Sequence, residues 1–150
     1  MILESQQEVV MKEKPIIPTV TDESLNLNSR RQLVAEYALL ILEKHLQEVR
    51  NVADWVAMAG YSTRWLGKCL ISHIGKTPSA VLKEERYKKI CSAIKSNPTA
   101  TALSVAGFVA PHWNDRYLYN FLSKYYNTNF TKLRYDVLMD ELKMGEENSK

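Results

Sequence analysis

Apolar positions recur at steps of three and four along most of the chain, which is the spacing of one face of an α-helix. Apolar and polar residues never alternate over a useful length, so no β-strand is predicted. The pattern therefore predicts an all-α fold of seven helices. The first begins at about Arg31 and buries Val34, Tyr37, Ala38, Ile41, His45 and Leu46; the others are Val52–Ala59, Thr63–Ile74, Pro78–Ser96, Thr99–Ala106, Asn114–Tyr126 and Phe130–Met144.

The ends of the second and third helices are marked by glycine and by capping residues. Gly60 can adopt the left-handed conformation that ends a helix. The Ser62 hydroxyl can accept an otherwise unpaired backbone N–H and so begin the next helix. Gly75 is expected to end that helix, and Pro78 to occupy the first turn of the fourth. A short helix, a tight turn and a capped helix together indicate a helix-turn-helix.

A weak internal repeat predicts a second unit of the same kind. Gly107-Phe108 corresponds to Gly60-Tyr61, with Gly107 expected to end the fifth helix, and Asn127-Thr128-Asn129-Phe130 corresponds to Gly75-Lys76-Thr77-Pro78. The domain organisation that follows is a flexible acidic N-terminal arm or linker (1–29), a helical domain (30–144) and a polar tail (145–150). Within the domain lie helix-turn-helix unit one (about 31–76), a connecting helix (about 78–96) and unit two (about 99–135).

The net charge of +3 is unevenly distributed. Residues 1–29 carry a net charge of −3, residues 30–135 carry +9, and residues 136–150 carry −3. A basic middle attracts polyanions such as nucleic acid and accelerates the encounter with them. The alternative is ordinary surface charge that keeps the protein in solution.

Several classes of protein are not indicated by the sequence. There is no apolar run of about 20 residues for a membrane span, and the N-terminal residues do not resemble a secretion signal. Cys69 and Cys91 both lie in helical patterns and are predicted to be free thiols of a cytoplasmic protein. We find no zinc-ligand spacing, no glycine-rich phosphate loop and no nucleophile motif. The expectation is a protein without metal, cofactor or enzymatic activity.

The outward face of the third helix carries candidate DNA contacts. Its inward stripe comprises Trp65, Leu66, Cys69 and Leu70, and its outward face comprises Thr63, Arg64, Gly67 and Lys68. Arg64 and Lys68 are neighbours on the helix surface, and an arginine can pair with guanine O6 and N7. Ser62 and Thr63 stand at a helix N-terminus, which suits a phosphate. The alternative is an ordinary solvated helix face, and Gly67 is either a point of close approach to DNA or a tolerated glycine.

The sixth helix is predicted to present a similar surface. Its inward residues are expected to be Leu118, Phe121, Leu122 and Tyr125, and its outward residues Arg116, Tyr119, Asn120 and Lys124. Asparagine can pair with adenine, and tyrosine more often contacts a phosphate. The tryptophans could instead stack on single-stranded bases. Trp55 and Trp65 lie on core stripes, whereas Trp113 lies in the predicted turn before the sixth helix without an evident role.

One set of residues resembles a family signature in order and spacing: Trp55-Val56, Leu66, Leu70, Gly75-Lys76-Thr77-Pro78, Arg86, Gly107-Phe108, Tyr117-Leu118, Leu122, Lys124 and Leu133-Arg134. Over about Val52 to Arg134 the chain resembles the DNA-binding domain of the AraC/XylS family of bacterial transcription regulators. There are departures. Eight residues, against about four in the family, separate Gly107-Phe108 from Tyr117, which predicts a longer turn or a repositioned helix. Asn127, Asn129 and Phe130 replace Gly, Thr and Pro, and Ile71 replaces a frequent Lys.

The resemblance implies a sequence-specific regulator that binds double-stranded DNA with two recognition helices. These would enter successive major-groove segments, roughly 34 Å apart. It also implies RNA polymerase as a further partner, whereas no small-molecule effector is evident. The rival hypothesis is a protein-interaction module that keeps the helical scaffold with weak or non-specific DNA binding.

Overall fold

The computed structural model describes residues 26–148 and confirms the all-α fold. Seven α-helices and one 3-10 turn account for most of these residues, and no strand occurs within 26–148. The elements are α1 (Leu27–His45), the 3-10 turn (Leu46–Glu48), α2 (Val52–Ala59), α3 (Thr63–Ile74), α4 (Pro78–Ser96), α5 (Ala102–Val109), α6 (Asp115–Tyr126) and α7 (Phe130–Asn148). Residues 1–25 of the predicted N-terminal arm and residues 149–150 of the predicted tail lie outside the described residues.

The chain forms two compact units. Within the described residues, unit one takes residues 26–44 and 51–82, and unit two takes residues 45–50 and 83–148. The core of unit one holds the fully buried Trp55, whose indole Nε1–H donates to the carbonyl oxygen of Ala38 at 2.8 Å. A buried indole N–H usually has such a partner, and this bond joins α2 to α1. Around Trp55 are Val34, Ala35, Ala38, Leu42, Val56, Ala59, Leu66, Cys69, Leu70, Val81 and Leu82.

The predicted helix ends of unit one are confirmed. Gly60 ends α2 in the left-handed region, at φ 85°, and the Ser62 hydroxyl accepts the Trp65 N–H at 3.1 Å. Gly75 ends α3 at φ 72°, and the Thr77 hydroxyl accepts the Ala80 N–H at 3.2 Å as α4 begins. A three-residue turn therefore separates α2 from α3.

Unit two has its own core, built from α4, α5, α6 and α7. Its buried residues are Ile90, Ala93, Ile94, Val105, Ala106, Val109, Ala110, Trp113, Leu118, Phe121, Leu122, Phe130, Leu133 and Val137. Trp113, which the sequence left unexplained, is a core residue. Its ring stacks on Tyr117 with centroids 5.3 Å apart and packs against Phe121 at 4.9 Å.

The prediction that Gly107 ends the fifth helix is wrong. Helix α5 continues through Gly107 to Val109, and Ala110 is extended at φ −154° and ψ 146°. The reason is Pro111, since a proline disfavours the helical conformation of the residue before it. The predicted start at Thr99 is also wrong, because the Thr101 hydroxyl accepts the Ser104 N–H and caps the helix.

These helix bounds change the correspondence between the two units that the sequence repeat predicts. Gly60 is the residue that ends α2, whereas Gly107 lies three positions before the residue that ends α5. The turn before α6 comprises residues 110–114, only two more than the turn before α3. Helices α2 and α5 are both eight residues long, so the turn is lengthened and Gly107 lies inside its helix rather than after it. Asn114 still caps α6 by accepting the Tyr117 N–H at 2.9 Å.

Three other predictions are corrected. Helix α1 begins at Leu27 rather than at about Arg31, because the Asn26 side chain accepts the Ser29 N–H at 2.8 Å. Helix α7 continues past Met144 to Asn148, so Gly145 does not end it. Tyr125 was predicted to face inward but is 45% exposed.

Asn127 and Asn129 adopt in unit two the local roles that Gly75 and Thr77 have in unit one. Asn127 adopts the left-handed conformation at φ 51°, as Gly75 does in unit one. The Asn129 side chain accepts the Lys132 N–H at 2.8 Å, as the Thr77 hydroxyl does for Ala80. Asparagine tolerates the left-handed region better than most other side-chain-bearing residues, so Asn127 can end α6 as Gly75 ends α3.

The pKa values of the two thiols predict their reactivity. Both cysteines are free, and burial raises the pKa of Cys69 to about 11. Burial also raises the pKa of Cys91, which is half-buried. At pH 8 roughly one Cys69 in a thousand is a thiolate, the reactive form. We expect Cys69 to react with a disulfide reagent only when the protein unfolds, and Cys91 to react slowly in the native state. Counting thiols released in buffer and in denaturant checks this; rapid release of two thiols from native protein would contradict it.

No helix in the described part of the chain is both long enough and apolar enough to cross a membrane.

Candidate nucleic-acid interface

The outward face of α3 is cationic and follows the three-residue turn after α2. Thr63, Arg64 and Lys68 are exposed, and Gly67 is half-buried between them. Helix α3 contains no acidic residue. Neither Arg64 nor Lys68 has an ion-pair partner among residues 26–148. Both charges are therefore available to an anionic ligand.

These side chains line one open groove of about 610 Å³. Its lining residues are Arg31, Thr63, Arg64, Gly67, Lys68, Ile71 and Ser72. The structure thus brings together four of the five predicted contacts of unit one. The lining contains three cations and no carboxylate, so the groove favours a polyanion.

Arg31 joins the groove from α1. Its guanidinium carbon lies 6.0 Å from the centroid of the Trp65 ring on α3. An arginine at this distance is attracted to the face of a tryptophan, which holds the side chain beside α3. Sequence spacing could not have found Arg31, because it lies more than thirty positions from Arg64 along the chain. Ile71 and Ser72 could have been found, since they continue the outward face beyond Lys68.

The fifth predicted contact, Ser62, stands at the N-terminus of α3. Its hydroxyl oxygen accepts the Trp65 N–H, and the residue is exposed. A hydroxyl that accepts one bond can still donate its own proton. Ser62 and the adjacent Thr63 therefore retain O–H donors at the positive end of the helix dipole, where a phosphate is favoured.

The outward face of α6 in unit two differs in composition from the outward face of α3. The predicted contacts Arg116, Tyr119, Asn120 and Lys124 are all exposed. Asn120 and Lys124 line a smaller pocket of about 220 Å³ together with Tyr117, Phe121 and Tyr125. Arg116 and Tyr119 are not among its lining residues, so the structure groups only two of the four.

Two lysines lie near the ring of Tyr125, which lines this pocket. Lys83 Nζ lies 4.2 Å from the centroid of the Tyr125 ring, and Lys124 Nζ lies 5.2 Å from it. The sequence missed Tyr125 because its position matched the inward stripe, and missed Tyr117 as a surface residue although half of it is exposed.

The N-terminus of α6 carries a negative charge that α3 lacks. Asp115 occupies the first turn, and its carboxylate accepts the Arg116 N–H at 3.0 Å. A carboxylate satisfies the helix dipole by itself. A phosphate therefore meets more repulsion at the N-terminus of α6 than at that of α3.

Gly67 has room for a side chain, so an alanine there can test whether the glycine allows close approach to DNA or is only tolerated. A Cβ atom there would lie 3.9 Å from Pro78 Cδ, an ordinary contact distance. Glycine costs a helix about 1 kcal/mol relative to alanine. We expect Gly67→Ala to raise the free energy of unfolding by about 0.5–1 kcal/mol, measured in urea.

The DNA affinity of the same variant decides the role of Gly67. A loss of affinity despite the gain in stability would show that the helix backbone approaches DNA closely at this point. Unchanged affinity would show that the glycine is only tolerated. A decrease in stability would contradict the open space found beside it.

Comparison of the chain with protein-family models, with curated proteins and with solved structures found no match in any of the three. Within residues 26–148, no group of three or more His, Cys, Asp or Glu side chains could hold a metal ion.

Proposed function

We propose that this protein is a sequence-specific regulator of transcription that binds double-stranded DNA. The observation that carries the proposal is the groove on α3. A capped helix follows a three-residue turn and presents Arg64 and Lys68 in a groove without carboxylates. An open groove of about 610 Å³ lined by cations suits an extended polyanion, and two helices joined by a short turn are the arrangement expected of a helix-turn-helix.

The roles in unit one follow from the positions of the side chains. Arg64 would read a guanine through two hydrogen bonds, and Lys68 would contact a guanine or a phosphate. Ser62 and Thr63 would bind a phosphate at the start of α3. Arg31 would neutralise a further phosphate from α1, since it reaches the same groove without lying on the helix that would enter the DNA.

Unit two would contribute a second set of contacts. Asn120 and Lys124 share one pocket, and asparagine is the side chain that pairs with adenine. Arg116 and Tyr119 would bind phosphates. RNA polymerase as a partner belongs to the same proposal and rests on the family resemblance alone. A cytoplasmic location is also part of the proposal and is supported by the two free thiols.

Selection of binding sequences from random duplex DNA tests this function directly. The full chain should enrich one motif, and its affinity should fall steeply with salt, by a logarithmic slope of about −0.9 for each phosphate neutralised. If no motif is enriched although binding occurs, the protein is a non-specific nucleic-acid binder. If no duplex is bound, the proposed function fails.

A second function is favoured by one observation on α6. Tyr117, Tyr119 and Tyr125 are each between 45% and 50% exposed, and exposed tyrosines are enriched at protein interfaces. With Asp115 at the helix start, this face also fits a protein partner. If the face binds a protein, Asn120→Ala and Lys124→Ala would leave the selected motif and the affinity for it unchanged. If unit two reads DNA, the same variants would lose sequence preference in part of the motif.

A further inference from the structure

Ile71 is an apolar side chain in the lining of the cationic groove. It is 51% exposed, whereas the neighbouring Leu66 and Leu70 of α3 are fully buried. A single exposed isoleucine is ordinary on a protein surface. The position of Ile71 is not, because it lines the same groove as Arg64 and Lys68.

The register of α3 places Ile71 with the proposed base contacts. Arg64, Gly67, Lys68 and Ile71 are spaced i, i+3, i+4 and i+7, the spacing of the base-contacting residues on a homeodomain recognition helix. Seven residues of helix rise about 10 Å, which corresponds to about three base-pair steps. A helix that brings Arg64 to a base edge therefore brings Ile71 to the groove about three base pairs away.

The chemistry of the major groove offers Ile71 one partner. Isoleucine can neither donate nor accept a hydrogen bond, so it cannot bind a phosphate or a polar base edge. The thymine C5-methyl group is the apolar feature that base pairs present in this groove. We infer that Ile71 reads a thymine by packing against this methyl group. This inference rests on the proposed function, since it requires that α3 enters the major groove.

The charges around Ile71 favour DNA over an apolar protein partner as the occupant. Arg31, Arg64 and Lys68 line the same groove as Ile71, and no carboxylate lines it. Burying these cations against an apolar protein surface would cost desolvation free energy without compensation. Phosphates on both sides of a major groove supply the opposite charge.

Deoxyuridine tests the inference without changing the protein. Each thymine of the selected motif is replaced in turn by deoxyuridine, which removes only the methyl group. For the unmodified chain we expect one position at which affinity falls about fourfold, the effect of burying one such group. For Ile71→Ala we expect a similar loss on the thymine duplex and no further loss on the deoxyuridine duplex, because the two changes remove the same contact.

Leu40→Ala is the matched control. Leu40 on α1 is 49% exposed and does not line the groove, so its removal should leave both the affinity and the methyl dependence intact. Circular dichroism of each variant checks that the helices are retained.

Two results would overturn the inference alone: a motif in which no thymine is sensitive to its methyl group, or a methyl dependence that persists in Ile71→Ala. Failure to enrich any motif would overturn the proposed function as well, so the two failures are distinguishable. If Ile71 instead contacts a protein partner, no thymine of the motif would be sensitive to its methyl group, and Ile71→Ala would weaken only protein binding.

Discussion

Replacement of Arg86 by methionine is expected to lower the free energy of unfolding by about 3 kcal/mol. Arg86 is only 9% exposed, and its Nη2 donates to the carbonyl oxygens of Val49 at 2.9 Å and Arg50 at 3.0 Å. Its guanidinium carbon also lies 5.4 Å from the centroid of the Trp113 ring. These contacts all lie within unit two.

The expected cost comes mainly from the carbonyl groups that lose their donor. Burial lowers the pKa of Arg86, yet an arginine stays protonated at neutral pH, so both bonds are charge-assisted and strong. Methionine fills much of the same volume but leaves the buried Val49 carbonyl without its donor. An unsatisfied buried acceptor costs the full desolvation penalty rather than the smaller net value of the bond.

Arg134→Met provides the matched control for this experiment. Arg134 also donates from one nitrogen to two carbonyl oxygens, those of Pro98 at 2.8 Å and Ala100 at 2.9 Å. Arg134 is more exposed than Arg86, so water can replace its bonds. We expect a loss of at most about 1 kcal/mol.

Urea unfolding followed by circular dichroism measures both variants. Equal losses for Arg86→Met and Arg134→Met would show that burial does not determine the cost. A loss below 1 kcal/mol for Arg86→Met would contradict its assignment as a structural residue of unit two.

Arg64→Ala is expected to have the largest effect on function. A bidentate arginine–guanine pair contributes about 1–3 kcal/mol of discrimination against the wrong base. The variant should therefore lose preference at one position of the selected motif and keep it elsewhere. Because Arg64 is exposed and has no ion-pair partner within the described residues, the stability of the protein should change little.

Two comparison variants separate base reading from phosphate binding. Arg31→Gln should weaken binding to all duplexes alike and reduce the salt slope by about one unit. Thr63→Ala should weaken all sequences alike without changing the charge. The measurement is a repeated selection with each variant, followed by salt titration on the same duplex. A uniform loss across sequences for Arg64→Ala would refute its role in base reading.

Much of the fold of unit one could be predicted from its local sequence. The predicted bounds of α2, α3 and α4 match the structure. Gly60 and Gly75 end their helices through a left-handed backbone, and the Ser62 side chain caps α3 by accepting a backbone N–H. In unit two a glycine and a proline each offered a signal for the end of α5. A Cβ atom built at Gly107 would have no neighbour within 4 Å, and Gly107 remains helical. Pro111, four residues later, sets the end of α5. The glycine signal therefore predicted the end of α2 correctly but not the end of α5.

The candidate site was predictable only where one helix supplied it. Arg64 and Lys68 share a face because of helix geometry, which the sequence shows. Tyr125 also fits the periodic inward stripe of α6, yet it is exposed, because periodicity shows only the average direction of a face and packing by the neighbouring helices decides which residues are covered.

By itself, the sequence determined the all-α class, the capped turn before α3 and the basic face that follows it, since these depend on interactions between residues a few positions apart. The tertiary structure decided which distant residues join that face, as Arg31 does, and why Trp113 and Arg86 are buried together. Such features depend on contacts between residues tens of positions apart, and spacing along the chain carries no information about which of them meet.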